Sequence, residues 1–162
     1  MEIINADKSD LQSILVIYKK ARQFMIDTGN PNQWASGGPT KEQLLNDISS
    51  NDLYVIKEKD DIVGVFAFII GEDSTYKVIE QGHWLSDSEY GTIHRVASNG
   101  TVHGLFDMII DYCSKKIGHL RIDTHSNNKV MQHLIEKNGF LKCGIIYVND
   151  GSPRIAYERL IK

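Results

Sequence analysis

The segment Ile93–Gly104 reads IHRVASNGTVHG and joins a predicted strand to a predicted helix through a turn of small residues. The first turn of a helix has N–H groups without intrahelical partners and about half a positive charge from the macrodipole. Gly100 and Gly104 allow the backbone to come close to a ligand. The segment therefore predicts an anion-binding turn suited to a pyrophosphate, although an ordinary strand–helix turn has the same pattern.

Two common nucleotide-binding turns are excluded by this sequence. A P-loop needs Gly-Lys-Ser or Gly-Lys-Thr at its end, and that tripeptide does not follow the segment. A dinucleotide-binding fingerprint needs Gly-x-Gly-x-x-Gly, which is also absent.

Apolar periodicity on both sides of the segment predicts the remaining elements. The predicted strands are Glu2–Ala6, Leu53–Lys57, Ile62–Ile70, Thr92–Ser98, Leu120–Thr124, Phe140–Val148 and Pro153–Leu160. Helices are expected from Ser9 to Met25, after Thr40, over Val102–Lys116 and over Asn127–Asn138. Helices interrupt the strands and hairpins occur at both ends, so we expect an α/β (α+β) fold with a single mixed, mostly antiparallel sheet flanked by helices.

Local signals refine these helices. Ser9 with Gln12 and Thr40 with Gln43 have the spacing of capping boxes. The irregular segment Gly71–Gly91 is long for a connection in a compact domain, which is typical of a functional loop. Residues expected to face the core are Val130, Met131, Leu134 and Ile135 in the last helix and Leu105, Ile109, Tyr112 and Cys113 in the helix before it.

Composition indicates one globular domain over residues 1–162, with 41% hydrophobic and 24% charged residues. The net charge is −3 and no run of Lys or Arg is present, so nucleic acid is not an expected partner. The six His residues include no HxH or HExxH spacing, so no metal site is expected.

The N-terminus has no charged region followed by an apolar one, and no apolar run approaches about 18 residues. Cys113 and Cys143 are isolated in the sequence. We therefore expect a cytoplasmic protein with two reduced thiols and no membrane segment.

A second motif lies downstream, where Asn128 is followed by Met131 and then by LIEKNGF over residues 134–140. With HRVAS at 94–98, it resembles the GNAT superfamily of acyl-CoA-dependent N-acyltransferases, whose pattern is an Asn, a small or apolar residue three positions on, and LYEKxGF. Ile135 occupies the usual Tyr position. The family's Arg/Gln-x-x-Gly-x-Gly/Ala corresponds to Thr101–Phe106, where Gly104 is the strict match. The resemblance covers nearly the whole chain.

The resemblance implies the GNAT fold and acetyl-CoA as cosubstrate. Backbone groups of Val96 and Ala97 would pair with the pantetheine arm, and the Val96 N–H would polarise the acetyl carbonyl. Asn128 would contact the pantetheine or help to separate two strands. The implied cosubstrate-binding set is Val96, Ala97, Ser98, Asn99, Gly100, Thr101, Val102, His103, Gly104 and Asn128.

Acid and base candidates come from the remaining polar residues. Ile135 cannot donate a proton, so Tyr147 is a candidate acid, as is Tyr90, although either could simply pack. His94 is the candidate base, or a hydrogen-bonded structural residue; strict alternation puts it with Val96 and Ser98 on one strand face. His125 could serve catalysis or a cap. Candidate acceptor-binding residues are Trp34, Glu80, His83 and Trp84, for which loop packing is the alternative.

Three functions remain open from sequence. The first is an N-acetyltransferase in which an amine attacks acetyl-CoA directly in a ternary complex, with a small-molecule or peptide amine as acceptor. The second is a GNAT-like acyl-CoA sensor with weak or no catalysis, and the third is an unrelated nucleotide-binding protein. A homodimer is one assembly state that the resemblance allows.

Overall fold

The computed structural model describes residues 1–161, which contain four α-helices and seven strands in the order predicted from the sequence. The helices are α1 (Leu11–Asp27), α2 (Lys41–Ser49), α3 (Leu105–Ser114) and α4 (Lys129–Lys137). The strands are β1 (Glu2–Asn5), β2 (Leu53–Glu58), β3 (Asp61–Ile70), β4 (Gly91–Ser98), β5 (His119–Thr124), β6 (Leu141–Tyr147) and β7 (Pro153–Leu160).

The strands form one sheet in the order β1-β2-β3-β4-β5-β7-β6. Antiparallel pairing joins β1 to β2, β2 to β3, β5 to β7 and β6 to β7, whereas β4 and β5 run parallel. The prediction of a mixed, mostly antiparallel sheet flanked by helices is confirmed.

Two compact units make up the chain. The first comprises Met1–Phe68 and His94–Leu105, and the second comprises Ile69–Ile93 with the chain from Phe106 onward. The boundary between them passes through β4. A single domain over residues 1–162 remains a prediction.

The first unit buries the apolar faces of α1 and α2. Their helical spacing places Ile14, Ile17 and Leu44 in a core with Val55 and Ala97, each at most 5% exposed. Ala97 therefore fixes the end of β4 against this core, which positions the turn that follows it.

The start of α1 differs from the prediction. Asp7 and Asp10, not Ser9 and Gln12, form the capping box, and they enclose a 3₁₀ turn over Lys8–Asp10 that precedes α1. An Asp carboxylate accepts a backbone N–H as well as a Ser hydroxyl does, so the pattern had two competing solutions two residues apart. The Thr40 cap of α2 is confirmed, because its hydroxyl accepts the N–H of Gln43.

Two expectations about α3 and α4 are wrong in detail. α3 begins at Leu105 and not at Val102, because Gly104 has a φ of 79°, which a right-handed helix cannot contain. In α4, Val130 is 44% exposed, whereas Ile135 is fully buried. The buried stripe of α4 is thus narrower than its apolar pattern suggested.

Candidate active site

β4 contains one more residue than the segment of β3 that it pairs with. The Asn99 N–H donates to the Val63 carbonyl and the Gly71 N–H donates to the Tyr90 carbonyl. Between these two bonds β3 advances eight residues while β4 advances nine, which defines a β-bulge. Strict alternation along β4 is therefore wrong.

Arg95 is the bulged residue, since its φ of 53° lies in the left-handed region. The guanidinium Nε and Nη2 donate to Oδ2 of Asp47 at 3.0 and 2.7 Å, in a largely buried ion pair. The Arg95 carbonyl accepts the Tyr18 hydroxyl at 2.7 Å. Burial raises the pKa of Tyr18 well above its usual value, so that hydroxyl stays a donor at all ordinary pH.

The turn after β4 uses some of its own N–H groups. The Gly100 N–H donates to the Ser98 hydroxyl at 3.3 Å, and the Thr101 N–H donates to Oδ1 of Asn99 at 3.0 Å. With the Asn99 N–H bonded to Val63, three of the expected anion donors are already occupied. Within residues 1–161 the N–H groups of 102–104 have no protein acceptor. These three are the better candidates for binding an anion.

The same turn has room for a ligand. A Cβ atom at Gly100 or Gly104 would meet no atom within 4 Å. A cavity of about 690 Å³ opens beside Asn99 and Thr101, in the size range of ligand pockets. Its wall carries three lysines and four carboxylates, from Asp10, Lys20, Lys57, Glu58, Lys59, Asp60 and Asp61. Because these side chains give the wall no net positive charge, we expect an anion to be bound by the backbone N–H groups.

His94 and Trp34 are the other predicted site residues of the first unit. His94 is half-buried and directly precedes the bulge. Trp34 contacts the Tyr18 ring edge-on at 5.7 Å between centroids, and its carbonyl accepts Nε of Arg22 at 3.0 Å. Trp34 therefore packs against the tyrosine that holds the bulge.

In the second unit, a buried charge cluster holds the long loop between β3 and β4. Glu158 is fully buried; its Oε2 is 2.6 Å from Nε2 of His119 and 2.7 Å from Nε of Arg121, and its Oε1 accepts the Leu85 N–H at 2.6 Å. Nη2 of Arg121 donates to the Ser86 carbonyl at 2.8 Å. The loop is thus fixed to β5 and β7 by charge-assisted bonds.

Trp84 belongs to this anchoring arrangement. The Arg121 guanidinium lies 3.9 Å from the centroid of Trp84 and 4.0 Å from that of Tyr90. The indole N–H of Trp84 donates to the Tyr76 carbonyl at 2.8 Å. These contacts fix the Trp84 side chain to the loop and to β5.

Glu80, a candidate acceptor-binding residue, and Tyr147, a candidate acid, are in contact. The Tyr147 hydroxyl donates to Oε2 of Glu80 at 2.9 Å, and both side chains are exposed. The hydrogen bond to Glu80, followed by its charge, raises the pKa of Tyr147. The Glu80 backbone also bridges to Ile145 of β6, and His83 follows on the exposed surface.

In the segment before α4, side chains accept hydrogen bonds from backbone N–H groups. Oδ1 of Asn128 accepts the Met131 N–H at 3.0 Å, so Asn128 is the N-cap of a helix that begins one residue later. Nδ1 of His125 accepts the Asn127 N–H at 3.0 Å. Burial, followed by the charge of Arg154, lowers the pKa of His125. Of its two sequence interpretations, the structure supports the cap.

Sequence reasoning missed the residues that hold these segments. Tyr18, Asp47 and Arg95 are 29 to 77 residues apart, and no local pattern links them. His119 and Arg121 gave a usable signal, since alternate charged residues in an apolar strand indicate a buried polar face. Among residues 1–161, no cluster of three or more His, Cys, Asp or Glu side chains could hold a metal, and no helix is long and apolar enough to cross a membrane.

Comparison with known proteins gives a consistent assignment at the level of structure. No protein-family model matches the sequence, and no curated protein sequence matches it either. A GNAT-family acetyltransferase from Streptococcus agalactiae superposes with a TM-score of 0.90 at 28% identity, over 99% of this chain and 95% of that one.

A structure described as an acetyltransferase from Staphylococcus aureus superposes with a TM-score of 0.70 at 27% identity, over 100% of both chains. The chain belongs to the GNAT superfamily. A GNAT-like decarboxylase in complex with isobutyryl-CoA shares the GNAT fold at 11% identity, with a TM-score of 0.67 and 100% coverage of both chains. Membership in the GNAT superfamily rules out the unrelated nucleotide-binding protein.

Proposed function

We propose that the protein is an acyl-CoA-dependent N-acyltransferase that transfers an acetyl group from acetyl-CoA to a small-molecule or peptide amine. The observation that carries the proposal is the likeness to a GNAT-family acetyltransferase over 99% of the chain at a TM-score of 0.90. Support from the chain itself is the set of N–H groups at 102–104 without protein acceptors, beside glycines with open space.

In this mechanism the N–H groups at 102–104 bind the pyrophosphate, with Ser98–Thr101 setting the shape of the turn. Val96 and Ala97 pair with the pantetheine arm as an added strand would. The Asn128 side chain caps α4, so it acts on the cosubstrate through the placement of that helix.

The transfer needs one base, one oxyanion donor and one acid. His94 accepts a proton from the attacking amine as its nitrogen forms a bond to the carbonyl carbon, and the Val96 N–H binds the oxygen as charge develops. The C–S bond then breaks, and Tyr147 returns a proton to the thiolate. The acceptor amine is bound by the candidate acceptor-binding residues, which are Glu80, His83, Trp84 and Trp34.

The raised pKa of Tyr147 makes proton donation from it slower, which bears on the alternative function. Ile135, at the usual Tyr position, is fully buried and carries no proton. A weak proton donor at Tyr147 and none at Ile135 favour an acyl-CoA sensor with weak catalysis as the second candidate function.

A two-stage experiment separates the candidates. Thermal unfolding is followed with CoA, acetyl-CoA and ATP; ligand at 100 times its Kd should stabilise the fold by about 2.7 kcal/mol. Stabilisation by ATP alone would contradict the proposal. Thiol release is then measured over an amine panel, where turnover supports the transferase and silence with tight CoA binding supports the sensor.

His94→Ala is the test of the base. The pH–rate profile of kcat/KM should lose its lower inflection, because the proposed general base is gone. Tyr147→Phe tests the acid in the same assay, where the upper inflection of the pH–rate profile should change. Tyr112→Phe is the control, because Tyr112 has no proposed role in the reaction. An unchanged profile in either variant removes that residue from the mechanism.

A further inference from the structure

Arg95 is held in a backbone conformation that a residue with a Cβ atom adopts at a cost. Its φ of 53° is in the left-handed region, and no adjacent glycine relieves the strain. Such residues persist where the surrounding structure fixes them from several directions.

Contacts from two helices fix Arg95. Asp47 of α2 binds both Nε and Nη2 of the guanidinium through one carboxylate oxygen. Tyr18 of α1 is 4% exposed and donates its only hydroxyl proton to the Arg95 carbonyl at 2.7 Å. The side chain and the carbonyl of the same residue are thus held separately.

The carbonyl contact has a consequence one residue further along the chain. The Arg95 C=O and the Val96 N–H belong to one planar trans peptide unit, so they point in opposite directions. A hydroxyl that fixes the carbonyl therefore fixes the N–H as well, and directs it away from α1.

We propose that Tyr18 and Asp47 are positioning residues for acyl transfer, which hold the Arg95 bulge so that the Val96 N–H is aimed at the developing oxyanion. This inference rests on the proposed function. Asp47 holds the side chain that keeps φ positive, and Tyr18 sets the rotation of the peptide plane. Both residues act through Arg95.

Tyr18→Phe is the sharpest test, because it removes one hydroxyl and keeps the ring that packs against Trp34. Loss of a whole oxyanion donor costs about 10²–10³ in kcat, and we expect misdirection of the donor to lower kcat at least about tenfold. KM for acetyl-CoA should stay within about twofold, since the Val96 N–H acts mainly in the transition state. Equal losses of kcat and of cosubstrate affinity would overturn the proposal.

A matched pair at Arg95 separates the backbone from the ion pair. Arg95→Gly and Arg95→Ala both leave Asp47 without its partner, but only glycine adopts the left-handed conformation freely. We expect kcat of Arg95→Gly to exceed that of Arg95→Ala about tenfold. Equal kcat values in the two variants would contradict a role for the bulge.

An activity-independent readout keeps the two proposals distinguishable. In ¹H–¹⁵N spectra, the Val96 amide resonance should move in Tyr18→Phe, whereas a control such as Tyr90→Phe, which loses its bond from the Asp73 N–H, should leave it unchanged. If the wild-type protein binds CoA but shows no turnover, the transferase proposal fails while this measurement still decides the positioning role. An unmoved Val96 resonance in Tyr18→Phe overturns it.

Discussion

Tyr157 carries a buried hydroxyl that makes no hydrogen bond among the described residues. The residue is fully buried, and burial, followed by the charge of Glu136, raises its pKa to about 12. An unsatisfied buried hydroxyl costs roughly 1–3 kcal/mol, because its bonds to water are lost without replacement. We expect Tyr157→Phe to raise the free energy of unfolding by about 1 kcal/mol and Tm by about 2–4 °C.

Tyr76→Phe is the matched control for that prediction. The Tyr76 ring is as well buried, but its hydroxyl donates to Oδ2 of Asp123 at 2.6 Å. Removing this hydroxyl should lower the free energy of unfolding, since a short hydrogen bond to the Asp123 carboxylate is lost. Urea denaturation of both variants measures the contrast, and a loss of stability in Tyr157→Phe would contradict the first expectation.

His125 gives the stability of the fold a dependence on pH. Its pKa is lowered in the folded state, so between the folded value and about 6.5 the unfolded chain binds more protons. The contribution of His125 is therefore fully present above about pH 6.5 and is lost as pH falls through the folded pKa. Protonation also removes the Nδ1 acceptor of the Asn127 N–H.

We expect His125→Asn to weaken the fall in Tm between pH 7 and pH 5, because the amide oxygen can accept the same N–H and does not titrate. Thermal unfolding of both proteins across this range is the measurement. If Tm falls equally in the two proteins between pH 7 and pH 5, another group controls the loss of stability at acid pH.

At the scale of elements, the hairpin of β6 and β7 and the long loop depend on a very close backbone approach. A Cβ atom at Gly82 would overlap the carbonyl oxygen of Cys143. Relief requires the backbone to move, which would strain the paired bonds between Glu80 and Ile145 at 2.8 and 2.9 Å. We expect Gly82→Ala to cost about 2–3 kcal/mol and to make the loop sensitive to proteolysis.

Gly151→Ala separates backbone strain from steric overlap. Gly151 has a φ of +84° but no atom within 4 Å of an added Cβ. Its substitution should cost only about 1 kcal/mol, and the loop should remain resistant to protease. A Gly82→Ala protein as stable as Gly151→Ala would contradict the steric overlap with the Cys143 carbonyl.

Local pattern was sufficient for most elements and insufficient for their junctions. The strands and hairpins followed from alternation and turn residues, because both signals act over a few neighbouring positions. The bulge at Arg95 did not, since a bulge is defined by the register between β4 and β3. The late start of α3 was likewise decided by the left-handed conformation of Gly104.

The candidate site was predictable only in its parts. The turn after β4 was predicted from a local motif, Glu80 from its place in the long loop and Tyr147 from its residue type. The contact between Glu80 and Tyr147 could not be predicted, because 67 residues separate them. The His119–Arg121–Glu158 cluster depends on pairing between β5 and β7, which brings Arg121 opposite Glu158. Alternation along β5 marks His119 and Arg121 as a buried polar face, but it does not identify Glu158 as their partner.

At the scale of the whole molecule, both thiols report on opening of the fold. Burial raises the pKa of Cys113 to about 12 and that of Cys143 to about 11, and neither side chain is more than 8% exposed. We expect labelling by a disulfide reagent at pH 8 to be very slow in the native protein and complete in guanidinium. Fast labelling of one thiol under native conditions would indicate local opening around it.

The bridge between Glu80 and Ile145 also bears on self-association. β6 is an outer strand of the sheet, and an outer strand with free N–H and C=O groups can recruit the same strand of another molecule. The Glu80 backbone occupies two of these groups on Ile145, and the close approach of Gly82 covers the strand near Cys143. The long loop between β3 and β4, which contains several candidate site residues, therefore also covers the edge strand β6 and prevents edge-to-edge aggregation.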